Sequence, residues 1–467
     1  MHTAKVLAPA SLLVLIATHL MVQSPVVGLA AGLGLPVLAL LVAQPWTRFV
    51  TVVVGGLLLF QTAGAAAKQG YFAIAVVCCA VSGLHIARTS STTTRCFRPM
   101  IYAGAFLITV LSISLLVSRS VDVPFSAWLT DVIPYILLAM LPVVGIDAGR
   151  QIPPRIMGVL IAVIGLISAI GFCVAWLSLR GASTMGLDRL TLASLVFTAL
   201  AFTYALAHTG QGGKRAGIWL TVAVLMLALI LVTGTRTGIV FVAGFFGVMG
   251  LRRRGGGVHP ARMLVYMVLA TGAVMTTVPL LAGRLVDDPN FIAEKLGNGL
   301  AVLHGGAEQD QSFQGRQRAY ELTQAYFHAH PWLGTGPGFF WSVDSPWMVL
   351  AKYGIIGAGA LIVYLGAVVV SARRVRALTG PLRLHAAARG WLIILLGLTP
   401  FAAWTDDKGL ALAVTLFVAA LASHAHAAER AHDAIGDQSP NMSVPKAPEG
   451  RDLLPVSPMR MAYSPTL

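Results

Sequence analysis

Apolar positions in this chain fall into long blocks separated by short polar turns, and most blocks approach the roughly 20 residues a helix needs to cross a bilayer. Fourteen blocks fit: 6–22, 26–44, 49–66, 70–87, 99–117, 127–146, 156–177, 188–207, 216–233, 237–251, 263–282, 347–370, 387–404 and 408–424. Lys5 is the only basic residue before the first apart from His2, and no small-residue cleavage site follows it, so it reads as an anchor. The pattern predicts an all-α, polytopic membrane protein of about 14 transmembrane helices. Two stretches break the rhythm. Residues 283–346 form a 64-residue segment between the eleventh and twelfth blocks, and 425–467 form a Pro- and Ser-rich tail with sparse apolar positions. The tail reads as disordered, with His424, His426 and His432 solvated rather than binding metal. The expected organisation is an N-terminal bundle 1–184, a core 185–424 containing the loop 283–346, and the tail 425–467.

Composition sharpens this reading. Of 467 residues, 57% are hydrophobic and 11% charged, less than half the roughly 25% charge of soluble domains, which excludes a water-soluble fold. The formal net charge of +15 would suggest nucleic acid in a soluble chain. Its distribution says otherwise. With the N-terminus in the cytoplasm, the inner segments hold 22 of the 33 basic side chains and 6 of the 18 acidic ones, giving +16 inside and −1 outside. A wrong span count would scramble this partition, so the positive-inside rule places both termini in the cytoplasm and the long loop outside. Membrane lipid, not nucleic acid, is the expected partner. Cys78, Cys79, Cys96 and Cys173 lack metal-ligand spacing and read as small buried hydrophobes.

The long loop is not low in complexity. After Gly315-Arg316-Gln317-Arg318, residues Ala319 to Ala329 read as a helix with Leu322, Ala325, Tyr326 and Ala329 on its apolar face, and Arg316, Tyr320 and Thr323 on another. Pro331 ends it, and the glycines and prolines of His330-Pro331-Trp332-Leu333-Gly334-Thr335-Gly336-Pro337-Gly338 predict a tight, fixed backbone. Trp332, Phe339, Phe340, Trp341 and Trp347 are placed to anchor at headgroup level, folding the loop down onto the membrane. The short outer turn Thr233-Gly234-Thr235-Arg236-Thr237-Gly238 is the second unusual place. Reversing the chain so tightly needs its glycines but not its arginine.

The Arg-bearing turn, a basic loop from Leu251 to Arg262, a span, and an outer loop with Gly-Arg, a helix and His-Pro-Trp-Leu-Gly-Thr-Gly-Pro-Gly together resemble the O-antigen ligase and polymerase superfamily. The similarity covers about residues 185–370. It implies a multi-pass glycosyltransferase of the bacterial inner membrane, moving glycan from an undecaprenyl-diphosphate carrier to an acceptor on the outer side, without nucleotide sugar, cofactor or metal. Matched position by position, Arg236 and Arg316 correspond to the family's two diphosphate-binding arginines. The chemistry agrees, because an arginine fork binds phosphate oxygens bidentately and stays charged at any working pH. The plainer roles are a snorkelling interface residue for Arg236 and a solvated loop charge for Arg316. Arg318 is a further diphosphate candidate that can instead pair with Glu321. Arg189 is another, with an ion pair to Asp188 at a helix end as its alternative.

One departure matters. Ligases of this family carry a His-Asn pair eleven residues before a Gly-x-x-Gly; here Gly354-Ile355-Ile356-Gly357 is preceded at that distance by Val343, then Asp344 and Ser345. Asp344 is the candidate general base, and His330 the second, with ending a helix before Pro331 as its plainer role. Lys352 stands where the family often has an acid; at that depth it is expected to face a polar cavity and add to phosphate binding. The missing histidine favours a repeat-unit polymerase over a ligase acting on lipid A core. Expected partners are the lipid-linked donor, a glycan acceptor and a chain-length regulator. A lipid-linked oligosaccharide flippase also has about fourteen spans, but two related halves and short outer loops are expected of it. A non-catalytic assembly partner is the third reading.

Overall fold

The computed structural model describes residues 44–62, 65–89, 91–178, 194–209, 213–232, 240–242, 244, 311–340, 345, 347–399, 404 and 409–436. Their main elements are eleven helices, and no strand occurs among the described residues. In chain order these are α1 (Pro45–Thr62), α2 (Ala65–Arg88), α3 (Thr92–Ser120), α4 (Phe125–Gly149), α5 (Pro154–Ser178) and α6 (Leu195–His208), followed by α7 (Gly213–Val232), α8 (Gln311–Ala329), α9 (Met348–Thr379), α10 (Arg383–Leu398) and α11 (Gly409–Gly436). All but α8 fall on expected spans. Six are long and apolar enough to cross a membrane, with two shorter apolar helices at Leu195–His208 and Arg215–Leu231. The expected spans 6–22 and 263–282, and all but the last residue of 26–44, lie outside the described residues, while 237–251 is represented only by Val240, Phe241, Val242 and Gly244.

Local chemistry sets the helix starts. Pro45 and Pro154 open α1 and α5, where a missing amide costs nothing. The hydroxyls of Ser91 and Ser194 accept from the amides of Thr94 (3.2 Å) and Phe197 (3.1 Å), capping α3 and α6. Burial then sorts the helices. Every residue from Val196 to Ala207 of α6 is buried, and so is α11 from Leu410 through Ser423, as helices that are apolar all round require. Helix α6 packs against α5, α7 and α10. Helix α11 lies against Gly145 and Gly149 of α4, where an added Cβ would meet the carbonyl oxygens of Thr415 and Ala419. This small-residue spacing is how membrane helices approach closely. All four cysteines are buried, Cys96 within α3.

The polar contacts gather at two ends of the bundle. At one end Arg48, 2% exposed, binds Asp147 Oδ2 (2.6 Å) and Ser82 (3.0 Å), while His85 Nδ1 lies 2.5 Å from Asp147 Oδ1. Arg150 donates to Thr89 (2.5 Å) nearby. The Glu429 carboxylate accepts from Thr92 N and Thr93 Oγ1, both at 2.7 Å, placing an anion at the N-terminus of α3. The opposite ends of α3 and α4 carry Ser118 and Asp131, which meet the loop after α8 and the start of α9. Asp131 and Asp147, which the charge partition assigns to different faces, stand near opposite ends of α4.

The tail starts later than the sequence suggested. Helix α11 runs on to Gly436, so 425–436 is helix where disorder was expected. The reason is local: the segment from His424 to Ala434 is rich in Ala, with Glu429 and Arg430, all strong helix formers. By contact the chain divides after Glu429, and Arg430–Gly436, the described part of the second unit, continues the helix.

Candidate functional site

Gly354 is the pivot. Within α9 it adopts φ 62° and ψ −168°, a non-helical conformation that breaks the helix six residues after its start and is open essentially to glycine alone. A break at that point strands the carbonyls of Ala351 and Lys352 and the amides of Ile355 and Ile356, which would otherwise pair with one another across the turn. The loop supplies all four partners. Thr335 N donates to Ala351 O (2.9 Å) and Gly336 N to Lys352 O (3.1 Å), while Ile355 N donates to Pro331 O (2.8 Å) and Ile356 N to Trp332 O (3.2 Å). Backbone at membrane depth must be satisfied within the protein, and here residues 331–336 complete a broken helix. The approach is close: a Cβ on Gly334 (φ +71°) would meet the Lys352 carbonyl, and one on Gly354 the Trp332 carbonyl. The glycines of this motif are therefore required by contact as well as by turn geometry.

Past the break, the loop is pinned to α3 and α4. Ser118 Oγ donates to Pro337 O (2.9 Å). The Asp131 carboxylate takes two hydrogen bonds on Oδ2, from Gly338 N (2.8 Å) and from Lys352 Nζ (2.7 Å). The Lys352 side chain is 2% exposed and that of Asp131 20%. The ammonium also lies 5.7 Å from the centre of the Phe340 ring, a cation–π distance. Tyr353 donates to the Asp131 carbonyl (3.4 Å) and meets Tyr135 edge-on at 5.1 Å. Asp131 thus ties together the loop, the segment of α9 before its break and the start of α4.

Helix α8 packs against α9, and of the face its apolar residues suggested only Tyr326 takes part in the ring contacts. Leu322 is 45% exposed, and Ala325 and Ala329 are exposed as well. Thr323 is the buried position, its hydroxyl 2.7 Å from Ser345 Oγ. Around it, Tyr326 stacks on Phe340 (4.9 Å) and meets Phe339 edge-on (5.7 Å), and Phe327 lies 5.5 Å from Trp347. Large rings and one hydroxyl pair decide the docking, because alanines bury too little area to compete. Helix α8 also begins at Gln311 rather than Ala319.

The sequence-derived candidates separate into three groups. Arg236, Arg189 and Asp344 lie outside the described residues. Arg316 lies on α8 in helical register with Tyr320 and Thr323, i+4 and i+7 from it. Arg318 is exposed on the same helix, and Glu321, its expected partner, takes a hydrogen bond from Gln317 Nε2 (3.1 Å). His330 follows the end of α8, exposed, with its amide bonded to Tyr326 O (3.1 Å) and its carbonyl accepting from Gly334 N (3.0 Å). Lys352, expected beside phosphate, is buried against Asp131. Ser118, Asp131 and Ser345 were missed; Asp131 alone carried a usable signal, an acid near the end of an apolar span opposite a lysine in another.

Residues 221–353 match the protein-family model described as O-antigen ligase, so the resemblance read from the motifs holds over that stretch. No curated protein matches the chain.

Proposed function

From an O-antigen ligase domain at residues 221–353, we propose that the protein is an inner-membrane glycosyltransferase of surface-polysaccharide assembly. It transfers or polymerises glycan from an undecaprenyl-diphosphate-linked donor on the outer side of that membrane. The observation that carries this reading is that the matched stretch contains Arg236, Arg316, His330, Asp344 and Lys352 together with the glycine-rich loop clasped into the broken start of α9. Arg236 and Arg316 bind the diphosphate, with Arg318 and Arg189 as further cations near it. An acceptor hydroxyl attacks the anomeric carbon of the donor and loses its proton to Asp344 or His330. The bond from that carbon to the diphosphate oxygen breaks, and undecaprenyl diphosphate leaves with the electron pair. Arginines held where this charge develops lower the barrier more than solvent can.

The absent His-Asn pair favours polymerisation over ligation to lipid A core. Arg236→Ala and Arg316→Ala are each expected to abolish polymer in cells while leaving the protein's level in the membrane unchanged. Polymer of normal length and amount from either variant would sink the assignment. In a deletion strain, single repeats attached to lipid A mark a polymerase, whereas polymer left on its lipid carrier marks a ligase.

A further inference from the structure

We propose that Asp131, which lies outside the family-matched stretch, is a positioning residue for glycan transfer. Through Lys352 and the Gly338 amide it sets where the 330–338 strap sits against α9, and with it the groups at the site. The proposal rests on the transferase reading above.

Three observations combine. First, one carboxylate oxygen receives both the Lys352 ammonium (2.7 Å) and the Gly338 amide (2.8 Å), so a single atom fixes two sides of the strap. Second, the strap makes four backbone hydrogen bonds with the broken turn around Gly354, and Lys352 is both a partner in that exchange, through its carbonyl, and the cation on Asp131. A shift of the lysine therefore moves the strap directly. Third, the strap joins α8, which carries Arg316, to the segment that carries Asp344. His330 begins it and Phe340 follows it, and Phe340 is stacked on Tyr326 of α8. The role assigned to Asp131 runs through the backbone of the strap, by way of Gly338 and Lys352. Transfer chemistry is sensitive to misplacement of about 1 Å, so a distant carboxylate that fixes such a backbone governs the rate without contacting substrate.

The pair offers its own control. Asp131→Asn keeps an oxygen for the Gly338 amide but withdraws the countercharge from a buried ammonium, which is costly. Lys352→Met removes the ammonium and leaves a carboxylate still bonded to Gly338. The double variant has no charge at this pair and retains the Gly338 bond, so it restores the strap better than either single change.

The test uses the full chain in detergent, with chymotrypsin cleavage within 330–340 and binding of undecaprenyl diphosphate measured on the same preparations. Wild type is compared with D131N, K352M, D131N/K352M and R236A. D131N is expected to raise the cleavage rate and weaken probe binding, each by about tenfold. The double variant is expected to recover both to within about threefold of wild type, and R236A to lose binding with cleavage unchanged. Wild-type cleavage in D131N overturns the proposal. So does faster cleavage with wild-type binding, which makes Asp131 a structural tie and nothing more. A double variant no better than D131N also overturns it, since charge pairing is then not the cause. Wild type that ignores the probe, indistinguishable from R236A, is instead the failure of the transferase reading, and this role falls with it.

Discussion

Single residues in this protein carry opposite instructions despite sharing a type. Gly354 and Gly359 stand five positions apart in one helix, yet alanine is expected to act on them with opposite sign. At Gly354 the left-handed φ excludes a side chain and the added carbon would strike the Trp332 backbone; the strain and clash together are expected to cost at least about 2 kcal/mol. At Gly359 nothing lies within 4 Å of the added carbon, so alanine is neutral or gains about 0.5 to 1 kcal/mol from helix propensity. Thermal unfolding of the two variants in detergent checks the pair, and equal melting temperatures would contradict this account of the kink. Gly354 was legible as part of a motif, but why the motif needs it was not: the reason is a carbonyl in another segment. Lys352 is similar. Its depth in an apolar span marked it for a polar partner, but Asp131 is 221 positions away, and nothing local names it.

At the scale of elements, the length of apolar runs was read well and the faces less well. Helix α8 was recognised from its spacing, but its docking face follows Thr323, Tyr326 and Phe327 rather than the alanines, because hydrophobic periodicity counts positions and not buried area. Helix α10 shows an element fixed by one side chain. His385 Nδ1 accepts from Leu382 N (3.2 Å) and Nε2 donates to Ala372 O (2.9 Å), joining the start of α10 to the end of α9. Both bonds suit a neutral ring. Burial holds the His385 imidazole below its ordinary pKa, and Arg376 and Arg389 push the same way against the two backbone bonds. His424 faces it too. The unfolded chain takes up this proton near pH 6.5 and the folded chain only at lower pH. The contribution to stability is therefore complete above about pH 6.5 and is lost as pH falls through the folded value. Wild type is expected to lose more melting temperature than His385→Gln between about pH 7 and pH 5; parallel declines would show that this imidazole is not responsible.

For the whole molecule, the net +15 resolves into two faces. The Arg48–Asp147 pair and the Asp131–Lys352 pair lie at opposite ends of α4, and the fourteen-span reading expects a +16 face at the first and a −1 face at the second. Exposed positions on described helices allow the orientation to be tested, since the four native cysteines are buried. A cysteine replacing Gln317 on α8 is expected to react with a membrane-impermeant maleimide added to intact cells with a permeable outer membrane. One replacing Arg373 near the end of α9 is expected to react only after the inner membrane is opened. The reverse pattern would overturn the orientation and with it the side on which the chemistry is proposed.

The sequence by itself determined the class of molecule, the blocks that become helices and the loop that carries the recognisable motif, and it set the expected polarity of the two faces. Each of these depends on a residue's transfer from water to lipid, or on its side of the membrane, properties that act position by position. Tertiary structure decided where α9 breaks, which strap repairs the break, which face α8 buries, and that an aspartate near the start of α4 holds the lysine of α9. Those outcomes depend on which helices become neighbours. Neighbourhood is set by packing over the whole bundle, so no stretch of the chain records it alone.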